Sequence, residues 1–382
     1  MLVHICLVSV QTVPNILAIH CLRPDRLIFV STAKMEEKKT TQAILDSLRL
    51  KELDYHDRHT IEIVNQDSFD DCERMMRGIA DSLADEEVTV NLTGGTKIMS
   101  LAAFSVFRPL GARLIYTPIP RNEYIVIDTD PATEPRLPLP MRLGVRSYVT
   151  AYGVRIGNME EADTLKERAR RGRELSRWIV RHYTDVENLL AAFAYHLNKD
   201  DARNRQQYDL SMSYDVRNEA EHELLEKLGM RGGRISRRLS RLEIGFLTGD
   251  WLSDYCYAEL TRLKVDDCAT GVELIDKNGN RNEFDVLFTK DNALYIVECK
   301  SLRQKADKDA DILYKISALQ DNFGLRVRGF LVSTAVDQIL DRKKNCIKDH
   351  IIRRARQCQT EVIHPDDIPE FGDWIASKVP GV

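Results

Sequence analysis

Over its first 140 residues the chain alternates short apolar, β-branched runs with helix-like segments, and this rhythm restricts the fold more than any other feature. VHICLVSV opens the series, and Pro14 then stands where a helix can start, with NILAIHCL continuing it. RLIFVST is a second strand, followed by a charged helix from about Met35 to Leu53. TIEIVNQD is a third, with Ser68 or Asp67 placed to cap the helix DDCERMMRGIADSLAD. EEVTVNL is a fourth, followed by TGGTK and the helical IMSLAAFSVF. ARLIYTPI and EYIVIDT read as late strands joined by a short turn. The order predicts an α/β region with a parallel, doubly wound sheet. Nothing in it matches GxGxxG, so dinucleotide binding has no direct support.

At 382 residues the chain fits two or three domains, and it reads as regions 1–140, 141–245 and 246–382. The middle region reads as a mostly helical connector rich in Arg. Its two dense patches are KERARRGRELSRWIVRHY from Lys166 and RGGRISRRLSRLE from Arg231, with Gly232-Gly233 as the best candidate hinge. In the third region GDWLSDYCYAELTRLK reads as an amphipathic helix. TGVELID, NEFDVLFTK and ALYIVECKS read as strands, and Asn278-Gly279 between the first two is a hairpin signal. DADILYKISALQDNF as a helix and LRVRGFLVST as a strand complete an α-β-β-β-α-β order.

The strongest chemical signal lies in those strands. Side chains at i and i+2 of a strand share a face, so Glu298 and Lys300 point together while Cys299 points into the opposite layer. A hairpin brings Asp285 beside Glu298, and two carboxylates at one point suit a hard cation such as Mg²⁺ or Mn²⁺. Such a cation polarises a phosphate and lowers the pKa of a bound water, and Lys300 can steady that water or the developing charge. Asp254 is the best-placed third acid, with Asp250 one turn earlier and Glu283 on the strand of Asp285 as further candidates. The helix before the hairpin and the helix after it, with Tyr314-Lys315, complete the pattern. It resembles the PD-(D/E)XK nuclease fold, a restriction-endonuclease-like fold, with Asp285, Glu298 and Lys300 as the D, E and K. Phe284 stands where the literal motif has Pro. The resemblance implies Asp285, Glu298, Lys300 and Asp254 as catalytic residues. It implies a metal held by Asp285, Glu298, the Cys299 backbone carbonyl and Asp254.

The second signal is Thr93-Gly94-Gly95-Thr96-Lys97, which follows a strand and opens a helix. Glycines permit a tight turn that exposes backbone N–H groups at a helix N-terminus, where an anion binds well. GxxxxGK[ST] is not satisfied, so this is not a P-loop. NLTGGTKIMSLAAF, with SVQTVPN after the first strand, is similar to the CARF domain, the CRISPR-associated Rossmann fold. With the nuclease-like region behind it, the whole chain resembles the CARF nucleases of type III CRISPR defence, the Card and Can proteins. That resemblance implies a homodimer binding cyclic oligoadenylate through Ser9, Gln11, Thr12, Ser31, Thr32, Thr93, Gly94, Gly95, Thr96 and Lys97. Cyclic tetra-adenylate is the implied activator, and single-stranded DNA, RNA or both the implied substrate. Nicking of supercoiled DNA is a further family activity. Two other readings stay open: a sensor whose C-terminal domain binds nucleic acid without cutting, and a ring nuclease that removes the signal.

Lys plus Arg is 55 and Asp plus Glu 59, a formal charge of −4, which excludes a chain held to nucleic acid by bulk charge. The Arg patches read either as a basic channel to the metal or as a charged surface. Trp251 and Tyr255 read as core, with base stacking the other use, and the nine histidines show no paired ligand spacing. The eight cysteines form no CxxC pair and read as reduced core residues of a cytosolic protein. The N-terminus does not read as a signal peptide, and no apolar run approaches the ~20 residues of a membrane span.

Overall fold

A computed structural model describes residues 1–118, 121–127, 135–301, 323–324, 327–341 and 343–382. The expected helix DADILYKISALQDNF, with Tyr314-Lys315, lies almost wholly outside the described residues.

The N-terminal strands are Leu2–Leu7 (β1), Arg26–Ser31 (β2), His59–Ile63 (β3), Glu87–Asn91 (β4), Arg113–Tyr116 (β5), Glu123–Ile127 (β6) and Arg136–Pro138 (β7). They form one sheet in the order β3-β2-β1-β4-β5-β6-β7. β1 to β5 are parallel, and β6 and β7 add an antiparallel edge. β1 is buried on both faces because helices cover both. Val13–Leu22 and Thr40–Arg49 cover one face, and Phe69–Ser82 and Lys97–Phe107 the other. The expected caps hold: Pro14 sits in the first turn of its helix, and Ser68 accepts from the Asp71 N–H. The single charged helix expected at 35–53 is instead two, Ala33–Glu37 and Thr40–Arg49. The chain turns between them at Lys39, whose φ of +54° breaks the helix and re-aims the apolar stripe Ile44, Leu45, Leu48 at the sheet.

The middle region is mostly helical, as expected, but carries strands as well. It contributes the short strand Arg155–Ile156 (β8) and a hairpin of Gln207–Tyr214 (β9) with Gly233–Ser240 (β10). The second Arg patch is therefore largely a strand, with Ile235 and Leu239 buried and Arg234 and Arg238 exposed. Period-2 alternation of Ile235, Arg237 and Leu239 with polar neighbours fits that outcome, but the charge density obscured it. Gly232-Gly233 leads into β10; Gly233 has φ +84°, and a Cβ on Gly232 would lie 2.6 Å from Val216.

The C-terminal strands are Asp267–Ile275 (β11), Arg281–Lys290 (β12), Ala293–Lys300 (β13), Val327–Ser333 (β14), the short pair Leu340–Asp341 (β15) and Cys346–Ile347 (β16), and Thr360–Val362 (β17). The second sheet has the order β17-β14-β13-β12-β11-β8, so the middle region supplies its edge strand. Asp276 accepts from the N–H groups of Asn278 and Asn280, and Gly279 takes φ +85°, which closes the predicted hairpin. The helix Trp251–Leu260 is not amphipathic in place: all ten residues are buried, between this sheet and helices Met159–Arg171 and Arg173–Arg181. Trp251 and Tyr255 are core residues there. One core joins that helix to the middle region through Ile179, Leu189 and Phe193, and a second joins the two sheets through Ile16, Ile44, Phe284 and Ile296. All eight cysteines are free, and Cys346 is exposed rather than core. No helix among the described residues is long and apolar enough to cross a membrane.

Candidate active site and ligand crevice

The C-terminal site begins with strand register. β12 and β13 pair from Lys290–Ala293 to Val286–Val297, and one further step along that register sets Asp285 opposite Glu298. The Cys299 N–H donates to Asp285 Oδ2 at 2.7 Å, which fixes the carboxylate at the strand end. Glu298 is buried, and its Oε1 lies 3.0 Å from Lys300 Nζ, the same-face pairing that the i, i+2 spacing predicts. Phe284 takes the motif's Pro position as a fully buried side chain of the core between the sheets.

Asp254 sits differently. Its helix follows a wide turn, Phe246–Asp250, in which Gly249 has φ +141° and a Cβ would lie 2.4 Å from Ser301 Oγ. Only glycine fits there. Arg168 donates to Asp254 Oδ1 and to Asp250 Oδ2, each at 2.8 Å, and Arg203 donates to Asp250 Oδ1 at 2.9 Å. Asp254 is completely buried, and Oδ2 has no hydrogen-bond partner. Burial pushes its carboxyl up to about 6 against the pull of the Arg168 guanidinium. Cys256 on the same helix meets Cys299, Sγ to Sγ 3.8 Å, on the sheet face that alternation sets opposite Glu298 and Lys300. The described residues contain no group of three His, Cys, Asp or Glu poised to hold one ion, so Asp254, Asp285 and Glu298 are not drawn into a closed triad.

Asp285 instead opens onto a cleft of about 480 Å³ shared with Asp250, Glu283, Arg168, Arg203 and Arg241. The two secondary acid candidates thus stand in the open cleft, and Asp254 behind it. Arg168 belongs to the first Arg patch, yet its side chain is only 11% exposed and holds two carboxylates. Arg203 carried no signal in sequence: it reaches Asp250 from 47 residues away. The donors suit a hard cation, since all are oxygens, one buried carboxylate oxygen has no partner, and Mg²⁺ keeps several waters beside one or two carboxylates.

The N-terminal crevice lies where the strand order reverses, between β1 and β4. Open α/β sheets bind ligands at such a switch point. Ser9–Thr12 leave β1 and Thr93–Lys97 leave β4 there. A Cβ on Gly94 would lie 2.0 Å from the Leu7 carbonyl oxygen, and Gly95 takes φ +70°. Thr96 caps the helix Lys97–Phe107 by accepting from the Met99 N–H, and Lys97 is exposed at its first turn. Thr93 Oγ donates to Asn91 and accepts from the Thr117 N–H at 2.7 Å. Ser9 Oγ accepts from the Gln11 N–H, and the buried Thr12 hydroxyl has no partner. Ser31 and Thr32 are spent otherwise: Ser31 donates to Glu36, and Thr32 caps Ala33–Glu37. Thr117, buried beside Thr93 with an unpartnered hydroxyl, is a contact the sequence did not single out. Gln11 also reaches the other unit, lining a cavity of about 170 Å³ with Tyr152, Asp276 and Gly324.

The Card1 CARF domain model matches residues 3–148, and the model of the Card1-like endonuclease domain matches residues 241–379. The chain belongs to the Card1-like CARF nucleases. The two matches cover both sites, and the doubly wound CARF sheet, the helical stretch and the endonuclease unit follow in the expected order. Among solved structures, protein VC1899 from Vibrio cholerae shares the fold at TM-score 0.80 and 19% identity, over 99% of this chain and 97% of that one. Can2 from Sulfobacillus thermosulfidooxidans, solved in complex with cyclic tetra-adenylate, shares it at TM-score 0.76 and 19% identity, over 97% and 98%. A search of curated proteins found no matching relative.

Proposed function

We propose that the protein is a cytoplasmic, homodimeric nuclease of type III CRISPR defence, switched on by cyclic tetra-adenylate and dependent on Mn²⁺ or Mg²⁺. The observation that carries the nuclease reading is the Asp285–Glu298–Lys300 strand pair inside a Card1-like endonuclease match. The activator reading rests on the crevice at the β1/β4 switch point and on the cyclic tetra-adenylate bound by the similar Can2.

Asp285, Glu298 and the Cys299 carbonyl would hold the metal, with Asp254 or Asp250 as the third acid. When bound, it supplies a water of lowered pKa and a polarised phosphate. The protein's own residues do the rest. Glu298 pairs with Lys300 and aims it along its own face of the sheet, where Nζ meets the charge developing on the phosphate. Arg168 holds Asp250 and Asp254 in fixed rotamers and offsets their mutual repulsion. The cyclic ligand spans the two-fold axis of the dimer, with its phosphates on the Thr93–Lys97 helix start. Gln11 stands between that crevice and the second unit, beside Gly324 and Tyr152.

The test is cleavage of labelled single-stranded DNA and RNA with cyclic tetra-adenylate in Mn²⁺ or Mg²⁺. EDTA should stop it, and Glu298→Ala should stop it with ligand binding kept. Cutting by Glu298→Ala at the wild-type rate sinks the site.

A further inference from the structure

Arg203 and Arg241 stand in the same cleft as Asp285, and the cleft does not end there. Past Thr164, Arg168 and Leu242, which line both, it runs into a groove of about 1000 Å³. That is the upper end of small-ligand pockets. The groove lies between helix Met159–Arg171, helix Glu219–Lys227 and β10. Its floor is aliphatic and aromatic: Leu175, Leu228, Met230, Leu239, Phe246 and Leu247. Its rim carries Arg171, Lys227 and Arg237, so that with Arg168 four cations stand against Asp163, Glu167 and Glu243.

We propose that the substrate strand follows this route, its backbone held by Arg203 and Arg241 beside Asp285 and its unpaired bases laid on the apolar floor beyond. The assignment rests on the nuclease reading and deepens it. Charge division supports it. Arg168 is enclosed and committed to two carboxylates; Arg203 and Arg241 are half exposed, at 50% and 54%, Arg203 holding Asp250 at the cleft edge and Arg241 only loosely paired. The Arg241 pair with Glu161 spans 3.7 Å between two half-exposed groups, a contact a phosphate can displace. An apolar floor beside a cationic rim suits a strand whose bases are free, because a duplex keeps its base faces stacked inside. The groove therefore predicts a single-strand preference without any base-edge contact.

The full-length protein, with cyclic tetra-adenylate and in EDTA so that nothing is cut, is titrated into labelled oligo-dT, oligo-rU, an abasic strand and a duplex of equal length. Wild type should bind dT and rU more tightly than the abasic strand and the duplex. Arg241→Ala should weaken dT binding several-fold and flatten the dependence of log K on log salt by about 0.7, with Arg241→Lys restoring both. Thermal unfolding of each variant shows that the fold is kept. If Arg241→Ala binds with unchanged affinity and salt slope, the clamp is wrong. If the abasic strand binds like dT, the groove does not take bases. Wild type that binds and cuts while both controls fail overturns this inference alone. Wild type that neither binds nor cuts in Mn²⁺ overturns the nuclease reading beneath it.

Discussion

The N-terminal crevice is built mostly of backbone, and the C-terminal cleft mostly of charged side chains. At β1 and β4 the ligand surface is two glycines pressed against Leu7, a capped helix start and a few hydroxyls, with Lys97 exposed in the first turn of that helix. At β12 and β13 it is acids and arginines gathered from helix Met159–Arg171, residue 203, the turn at 241–250 and two strands. A backbone site is set by local conformation and tolerates little change in shape. A charged site is set by partners far apart in sequence and tolerates little change in charge. The two should therefore fail in different ways.

The largest effect should come from charge in the cleft. Lys300→Ala should lower cutting at least about a hundredfold, measured as single-turnover cleavage, with cyclic tetra-adenylate binding unchanged. Next comes acid lability of the N-terminal sheet. His4 in β1 is fully buried, and desolvation lowers its pKa from 6.5 to about 4. The folded protein holds the imidazole neutral and the unfolded chain protonates it first, so this stability is complete above pH 6.5. It is lost as pH falls towards 4, by about 3 kcal/mol. Urea unfolding of wild type and His4→Val across that window measures it, and the variant should lose the slope. Shape comes third. Gly94→Ala drives a Cβ into the Leu7 carbonyl and should cost about 1–3 kcal/mol, with ligand affinity falling in calorimetry. Smallest is Lys97→Ala, which removes an exposed charge and should raise the ligand Kd about three- to tenfold, worth about 1 kcal/mol. If Lys97→Ala outweighs Gly94→Ala in ligand affinity, the crevice is not a backbone site.

The same contrast explains what could be read in the sequence. Thr93–Lys97 is five adjacent residues after a strand, so its geometry follows from local rules. The hairpin at Asn278-Gly279 and the alternation across Glu298 and Lys300 are local too, and the next hairpin, of β12 with β13, brings Asp285 beside Glu298. The partners of Asp254 were not legible, because Arg168 lies 86 residues away on a helix whose charges resemble a solvated face. Nor was the strand β10, where arginines hid the alternation of Ile235 and Leu239. The break at Lys39 was missed because a positive φ at lysine has no composition cue. Ser31 and Thr32 were sound choices by position at a strand end, but Glu36 and the Met35 N–H engage them first.

The central claim is that a ligand in the backbone crevice controls the charged cleft. Labelled single-stranded DNA and RNA are incubated with the protein and Mn²⁺ or Mg²⁺, with and without cyclic tetra-adenylate, beside Lys300→Ala. The account predicts cutting by wild type only when the ligand is present, and none by the variant. Equal cutting with and without bound ligand would contradict it.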